Sequence, residues 1–182
     1  MKKLDIKTMV AIGIGAALFF VLGRFVAIPS PIPDTSINIQ YAVLGLFALL
    51  FGPIAGFLIG IIGHTLVDLS WGAPWWSWIL ASGIFGLVVG LGKNIIDLET
   101  KSLGLKGIIA FNLSQICGHA VAWMLVAPGL DILIYGEPID KVFAQGAFAG
   151  LSNTATTAII GTILLVAFSK TKVKKGSLHI EQ

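Results

Sequence analysis

Residues 62–78 read IGHTLVDLSWGAPWWSW, and this segment decides how the rest of the chain is interpreted. It holds a histidine, an aspartate and four of the five tryptophans of the chain, while the sequence on either side is almost continuously apolar. Such a cluster is typical either of aromatic anchors at a membrane interface or of the wall of a binding site. The composition and the other polar residues help to choose between these two interpretations.

Composition places the chain in a lipid environment. The 182 residues are 56% hydrophobic and only 12% charged, about half the charged fraction of an ordinary soluble domain. A chain with so few polar side chains cannot cover its core in water, so the bilayer is its predicted solvent. The single cysteine, Cys117, excludes an intrachain disulfide and a cysteine-based metal site. We predict no metal site in this chain.

Helix breakers divide the chain into six apolar segments, each of which we predict to cross the membrane as an α-helix. The predicted spans are residues 8–28, 37–51, 54–69, 75–92, 107–127 and 142–168. The second and third are short, which predicts that they tilt or are joined by a tight turn. The predicted fold is therefore an all-α integral membrane bundle, one transmembrane domain over residues 1–182 with a basic tail at about 170–182.

The distribution of charge predicts the orientation in the membrane. Six spans place both termini on one side, together with the connections 51–53 and 93–106. That side collects ten of the twelve basic residues: Lys2, Lys3, Lys7, Lys93, Lys101, Lys106, Lys170, Lys172, Lys174 and Lys175. Because cytoplasmic loops carry the excess of lysine and arginine, both termini are predicted to be cytoplasmic. The net charge of +3 then reflects topology, and no nucleic-acid partner is predicted.

Polar side chains within the predicted spans converge on the outer half of the membrane. Ionisable and amide groups in lipid need a partner or a cavity, which makes them candidate functional residues. On the predicted topology they line one outward-open site. The candidate binding residues are His64, Asp68, Trp75, Trp78, Asn112, Gln115, His119, Gln145 and Asn153.

Several of these residues have a purely structural alternative. His64 and Asp68 lie one turn apart and are also explained as a hydrogen-bonded pair that seals two helices. Asn112 and Gln115 are also explained as a contact between helices. For Arg24 we favour a side chain that extends along the helix to the outer surface. The convergence of the polar residues on one side of the membrane nevertheless favours a site.

The outer connections add a candidate gate. Proline fixes φ, so Pro31 and Pro33 predict a stiff, extended first loop, and with Asp34 this loop is a candidate lid. A passive connector explains the same residues. Trp71 and Trp76 are consistent both with interface anchors and with ligand contact.

Motifs of known enzyme classes are missing from the sequence. It contains no H-E-x-x-H zinc motif, no G-x-S-x-G nucleophile motif and no P-loop. We therefore predict no catalytic residue and no bound cofactor. An ATP-driven transporter built from this chain needs partner subunits that hydrolyse the ATP.

Five segments carry a resemblance to a known family: AIGIGAALFFVLGRF (11–25), FGPIAGFLIGIIGHTLVD (51–68), WWSW (75–78), DILIYGEPIDKVFAQG (131–146) and KKGSL (174–178). They resemble the substrate-binding S component of energy-coupling factor (ECF) transporters. This resemblance implies a bacterial cell-membrane protein that binds a vitamin at its outer side beneath the first loop. It also implies a transmembrane coupling subunit and two ATPases as partners. The implied coupling contact is the small-residue stripe of the first helix: Ala11, Gly13, Gly15 and Ala17.

The pocket residues suggest the kind of ligand. Tryptophan faces suit a flat heteroaromatic ring, and Asp68 is placed to accept a hydrogen bond from an exocyclic amine or a ring N–H. This favours hydroxymethylpyrimidine or a pyridoxine-like vitamin, with riboflavin as the alternative. Two other classes stay open: a self-sufficient small transporter, and an intramembrane transferase that uses His64 and Asp68.

Overall fold

The computed structural model describes residues 5–96, 98 and 103–171. Within these residues the chain forms six helices and a two-stranded antiparallel hairpin. The elements are α1 Ile6–Phe25, β1 Ile28–Pro29, β2 Ser36–Ile37, α2 Gln40–Phe51, α3 Pro53–Trp71, α4 Trp76–Ile96, α5 Leu105–Tyr135 and α6 Ile139–Lys170. The predicted helical membrane bundle is confirmed. The predicted tail from residue 172 onward, Lys2, Lys3, Lys101 and segment 174–178 lie outside the described residues.

Helix α2 is the short member of the described bundle. The other five helices are long and apolar enough to cross a bilayer, whereas α2 has 12 residues. Twelve residues extend about 18 Å, and the hydrocarbon core measures about 30 Å. The predicted tight turn to α3 is Gly52, whose φ of 94° is rarely adopted by other residues. Because α2 begins only at Gln40, it leaves a gap at the outer end of the bundle.

Glycines bring α3 and α4 into backbone contact. A Cβ atom at Gly56 would overlap the carbonyl group of Gly86, and one at Gly60 would overlap the carbonyl group of Ser82. At the inner end, a Cβ at Gly90 would collide with the backbone of Pro53. These contacts fit the rule that small residues allow helices to approach closely in lipid.

Helix α1 turns only one of its two small-residue stripes toward the bundle. Asp5 caps the helix by accepting a 2.7 Å hydrogen bond from the Thr8 backbone N–H. Ala11 and Gly15 are buried, whereas Gly13 and Ala17 are exposed. Residues two positions apart lie on nearly opposite faces of a helix. The predicted coupling stripe is wrong for Ala11 and Gly15, because these two pack inside the protein.

The first outer loop is a hairpin and not an extended connector. Ile28 pairs with Ile37, and Pro29 pairs with Ser36. Because Ile28 belongs to this hairpin, α1 ends earlier than predicted, at Phe25. The turn is closed by the hydroxyl groups of Ser30 and Thr35, which hydrogen-bond to each other. At its tip, Asp34 adopts a left-handed φ of 58°.

Helix α5 continues beyond its predicted end. The sequence P-G-L-D at residues 128–131 predicts a helix stop, but α5 runs on to Tyr135. Two wide-turned π-helical stretches, Val121–Val126 and Asp131–Tyr135, flank Pro128. Wider turns accommodate the ring and the missing N–H group of a proline. The helix ends at Gly136, where a left-handed φ of 65° reverses the chain.

Candidate functional site

A cavity of about 850 Å³ occupies the predicted outer end of the bundle. Its wall combines the hairpin, the first residues of α2, the C-terminal ends of α1 and α3, the N-terminal end of α4, and parts of α5 and α6. Pockets for small molecules measure about 300–1,000 Å³. The cavity is therefore large enough for a vitamin-sized ligand.

Most of the predicted binding residues line this cavity. They come from three helices and are His64, Asp68, Trp75, Trp78, Gln145 and Asn153. Of the predicted gate residues, Asp34 also faces the cavity, whereas Pro31 and Pro33 are absent from its wall. The structure thus brings together polar groups that are far apart in the sequence; the two most distant, Asp34 and Asn153, are separated by 119 positions.

The other three predicted residues lie beneath the cavity. The Trp123 indole lines the cavity and donates a 3.1 Å hydrogen bond from Nε1 to His119 Nδ1. His119 is fully buried and its Nε2 lies 3.1 Å from Thr157 Oγ1. Deeper still, Asn112 donates to Thr162 Oγ1 at 3.0 Å. Because Trp123 separates this column from the cavity, the prediction that Asn112, Gln115 and His119 line the site is corrected.

Asp131 is the organising residue of the cavity wall, and the sequence analysis missed it. Its side chain is 2% exposed. Oδ1 accepts hydrogen bonds from the Ser77 hydroxyl and, at 2.7 Å, from Trp75 Nε1. Oδ2 accepts from Trp78 Nε1 at 2.9 Å. A buried carboxylate is tolerated when such donors surround it. Here the hydrogen bonds to Asp131 fix both indole rings of the wall.

A second network connects the cavity to the core. His64 Nδ1 lies 2.6 Å from Ser82 Oγ, which in turn lies 2.9 Å from the Tyr41 hydroxyl. On its other side, His64 Nε2 lies 3.4 Å from Asp68 Oδ1. Asp68 Oδ2 also accepts a 2.8 Å hydrogen bond from the backbone N–H of Trp75. The network therefore holds the α3 and α4 parts of the wall in a fixed relation.

The Ser82 hydroxyl of this network does not face the cavity. Ser82 is fully buried, and its hydroxyl group is held between Tyr41 and His64. A nucleophilic serine must have its oxygen accessible to the substrate. Ser82 is therefore part of a structural hydrogen-bond chain that joins α2, α3 and α4.

Arg24 and Trp71 form one edge of the cavity together. The guanidinium carbon of Arg24 lies 3.8 Å from the centroid of the Trp71 ring, within the range of a cation–π interaction. Both residues line the cavity. Trp71 is 67% exposed and Arg24 is half-buried, so the two residues lie at the rim of the cavity. Trp76, in contrast, is 56% exposed and absent from the wall.

The charged groups of the wall are mainly acidic. They are Arg24 and Lys141 against Asp34, Asp68, Asp131 and Glu137. Lys141 Nζ is paired with Glu137 Oε2 at 2.8 Å. The remaining carboxylates outnumber the one remaining cation, so the cavity suits a neutral or weakly basic ligand better than an anionic one.

The hairpin is fastened to α6 above the cavity. Gln145 Nε2 donates a 2.9 Å hydrogen bond to the carbonyl oxygen of Pro33 at the hairpin tip. Thr156 Oγ1 donates to the carbonyl oxygen of Asn38 at 2.7 Å, just after the hairpin. These two contacts hold the first loop against α6 at the cavity.

Comparison with known proteins supports the family resemblance that the sequence indicated. The family model for the ECF-type riboflavin transporter S component matches residues 3–170. The chain is 55% identical to a UPF0397 protein of Clostridium perfringens strain SM101, over 98% of this chain and 97% of the relative. It is 54% identical to one of Streptococcus gordonii, covering 95% and 93%, and 52% identical to one of Lactococcus lactis subsp. cremoris strain MG1363, covering all of both. The chain therefore belongs to the family of ECF transporter S components, which are multi-pass membrane proteins that bind substrate for a transporter.

Proposed function

We propose that this protein captures a small, uncharged or weakly basic heteroaromatic vitamin or precursor from outside, as the substrate-binding subunit of an ATP-driven ECF importer. Hydroxymethylpyrimidine or a pyridoxine-like compound is the substrate class. The observation that carries this proposal is the cavity lined by the indoles of Trp78 and Trp123, which contact each other with ring centroids 5.0 Å apart. Indole faces stack on flat rings, and the acidic wall disfavours an anion.

Riboflavin is the second candidate. The description of the matching family names riboflavin, and the cavity of about 850 Å³ lies in the upper part of the range for small-molecule pockets. A larger fused ring would stack on the same indoles. The two candidates differ in the size of the ring system, so direct identification of the bound compound separates them.

The partners in this proposal are a transmembrane coupling subunit and two ATPase subunits, which hydrolyse the ATP. The exposed stripe of α1, Gly13 and Ala17, is the candidate contact for the coupling subunit. Gly13 has no atom within 4 Å of the position of an added Cβ, and the neighbouring Ile14 is 52% exposed. Small exposed residues on a transmembrane helix allow a second helix to approach closely.

Purification from native membranes tests the ligand and the partners in one preparation. We expect P-loop ATPases to copurify, and denaturation to release a pyrimidine, a pyridine or riboflavin that mass spectrometry identifies. Titrating that compound back is expected to quench tryptophan fluorescence. Trp78→Phe is expected to weaken binding up to about tenfold, because the smaller ring offers less stacking area and loses the hydrogen bond from Nε1 to Asp131 Oδ2.

Matched variants separate the parts of this proposal. Trp76→Phe is the control for Trp78→Phe, because Trp76 lies on the same helix but outside the cavity wall. Gly13→Leu is expected to lose the copurifying subunits and to keep the ligand. A wild-type preparation without a released ligand, and without a fluorescence response to these vitamins, would contradict the proposed function.

The gate is tested by removing its contact with α6. In Gln145→Ala the hairpin loses the hydrogen bond to the Pro33 carbonyl oxygen. We expect the ligand to dissociate up to about tenfold faster, because one such bond contributes about 0.5–1.5 kcal/mol. Stopped-flow fluorescence measures this rate. Ser152→Ala is the control on the same helix, since the hydrogen bond of Ser152 within the described residues is to the Ala149 carbonyl oxygen. Equal dissociation rates in the two variants would refute a gating role for Gln145.

A further inference from the structure

We propose that the side-chain amides of Gln40 and Asn153 bind the polar edge of the ligand, and that this edge belongs to an uncharged ring and carries both a hydrogen-bond donor and an acceptor. Amidine-type edges, as in aminopyrimidines, and lactam edges have this chemistry. The inference rests on the proposed function and narrows its substrate class. It adds Gln40, a residue that the sequence analysis did not select.

The side chains of Gln40 and Asn153 are buried at the cavity, and their amide oxygens have no hydrogen-bond partner among the described residues. Gln40 is 3% exposed and Asn153 is 1% exposed, and both line the cavity. Within the described part of the chain, Gln40 Oε1 and Asn153 Oδ1 accept no hydrogen bond. Native proteins satisfy the large majority of their buried polar atoms, because each unsatisfied one is costly. Two unsatisfied acceptors on one cavity wall indicate a ligand that donates to them.

A third unsatisfied acceptor provides a contrast. Gln115 Oε1 is also buried without a partner, but Gln115 is absent from the cavity wall. Its Nε2 lies 3.5 Å from both Asn112 Oδ1 and the Thr154 carbonyl oxygen, within the column under the cavity. Gln115 is therefore a matched control residue: it has the same kind of unsatisfied oxygen but is not placed to reach a ligand.

Packing confines the amide of Gln40. Gln40 is the first residue of α2, and its side chain lies against the backbone of α1. A Cβ atom added at Gly23 would lie 2.9 Å from a Val67 methyl group and 3.1 Å from Gln40 Nε2, so a larger residue there would crowd this amide. A side chain held in this way loses little conformational entropy when it binds a ligand. Gln40 is thus preorganised at the point where the short helix leaves the cavity open.

Three of the four carboxylates of the wall are already engaged within the protein. Asp131 accepts three hydrogen bonds from side chains. Asp68 accepts one from the Trp75 backbone and faces His64, and Glu137 is paired with Lys141. The expectation that Asp68 provides the main contact for a ligand amine therefore gives way to the amides. A cation is not needed to satisfy this wall.

The chemistry of the amide defines the complementary edge. A side-chain amide offers an oxygen that accepts and an NH₂ group that donates. An edge with an amino or ring N–H group beside a ring nitrogen or carbonyl satisfies both functions. A ring without a donor leaves Gln40 Oε1 and Asn153 Oδ1 unpaired, and sites built to hydrogen-bond a substrate N–H discriminate strongly against analogues that lack it.

The test compares hydroxymethylpyrimidine with its analogue that lacks the 4-amino group, by fluorescence titration of the full-length protein in detergent. We expect the analogue to bind the wild-type protein at least about a hundredfold more weakly. In Gln40→Ala and Asn153→Ala this discrimination is expected to fall below about tenfold, since one of the two acceptors is lost. In the Gln115→Ala control it is expected to stay at the wild-type value. If riboflavin is the released ligand, its 3-methyl derivative replaces the analogue.

Isosteric variants keep the test decisive if alanine disturbs folding. Gln40→Met and Asn153→Leu approximately preserve size and remove the acceptor oxygens, and thermal unfolding confirms that each variant is folded. Unchanged discrimination in every folded variant would overturn the inference and leave the proposed function standing. Tight binding of pyridoxine that these variants do not change would also overturn the inference and leave the proposed function standing. A wild-type protein that binds none of the compounds overturns both.

Discussion

Replacing Asp131 with alanine is expected to weaken ligand binding at least about a hundredfold and to lower the free energy of unfolding by about 2–4 kcal/mol. Asp131 is the common acceptor for the indole N–H groups of Trp75 and Trp78 and for the Ser77 hydroxyl. Without the carboxylate these three donors lose their acceptor in a buried region, and each such loss costs about 1–3 kcal/mol. The indoles are then free to rotate away from the ligand.

Two further variants define the role of the charge. Asp131→Asn keeps the size of the side chain but turns an NH₂ group toward one of the donors, so we expect an intermediate loss of affinity. Asp140→Asn is the control, because Asp140 is an exposed carboxylate at the start of α6. Fluorescence titration and thermal unfolding in detergent measure the two effects. Ligand affinity within about twofold of wild type in Asp131→Ala would refute the assignment of Asp131 as the residue that positions the wall.

The sequence predicted the helices well where breakers and membrane length agree. Helix α3 was predicted over residues 54–69 and runs from Pro53 to Trp71, because Gly52 and Pro53 break the chain on one side and the S-W-G segment on the other. The end of α5 was predicted wrongly, because the rule that proline stops a helix ignores the wide turns around Pro128.

That error also explains why Asp131 was missed. With a helix ending at residue 127, Asp131 belongs to an outer loop, where a carboxylate needs no partner. In the structure the helix continues and carries Asp131 to a position where it is 2% exposed. Hydrophobic patterning identifies the helix but does not reveal that residues 75–78 of another helix supply the donors. Contacts between residues more than fifty positions apart depend on packing, which periodicity does not encode.

Gln40 was missed for a different reason. A glutamine at the start of an apolar run is normally a boundary residue at the membrane surface. Here α2 has only 12 residues, so its first residue lies within the protein instead of at the surface. Asn112, Gln115 and His119 were predicted to line the site, and in the structure they form one polar column on a single helix face instead. The column lies outside the cavity because the large indole ring of Trp123 stands between them. The spacing of polar residues in the sequence does not reveal this separation.

Gly60→Leu is expected to prevent formation of the binding site and to destabilise the protein by about 3 kcal/mol or more. A Cβ atom at Gly60 would overlap the backbone carbonyl group of Ser82, and backbone cannot rotate away as a flexible side chain can. Helix α4 would have to move away from α3. Ser82 also carries the hydroxyl group between His64 and Tyr41, so the same displacement breaks the hydrogen-bond chain at the cavity.

The effect of side-chain size can be separated from the effect of helix separation. Gly13→Leu introduces the same side chain in the middle of α1, where nothing lies within 4 Å of the new Cβ, and is expected to leave ligand binding and the unfolding temperature near wild type. Gly60→Ala is expected to fall between wild type and Gly60→Leu. The yield of monodisperse protein, thermal unfolding and ligand titration provide the measurements. A Gly60→Leu protein that folds and binds like Gly13→Leu would show that α3 and α4 tolerate a wider spacing, and that the α3–α4 backbone contact does not set the geometry of the cavity.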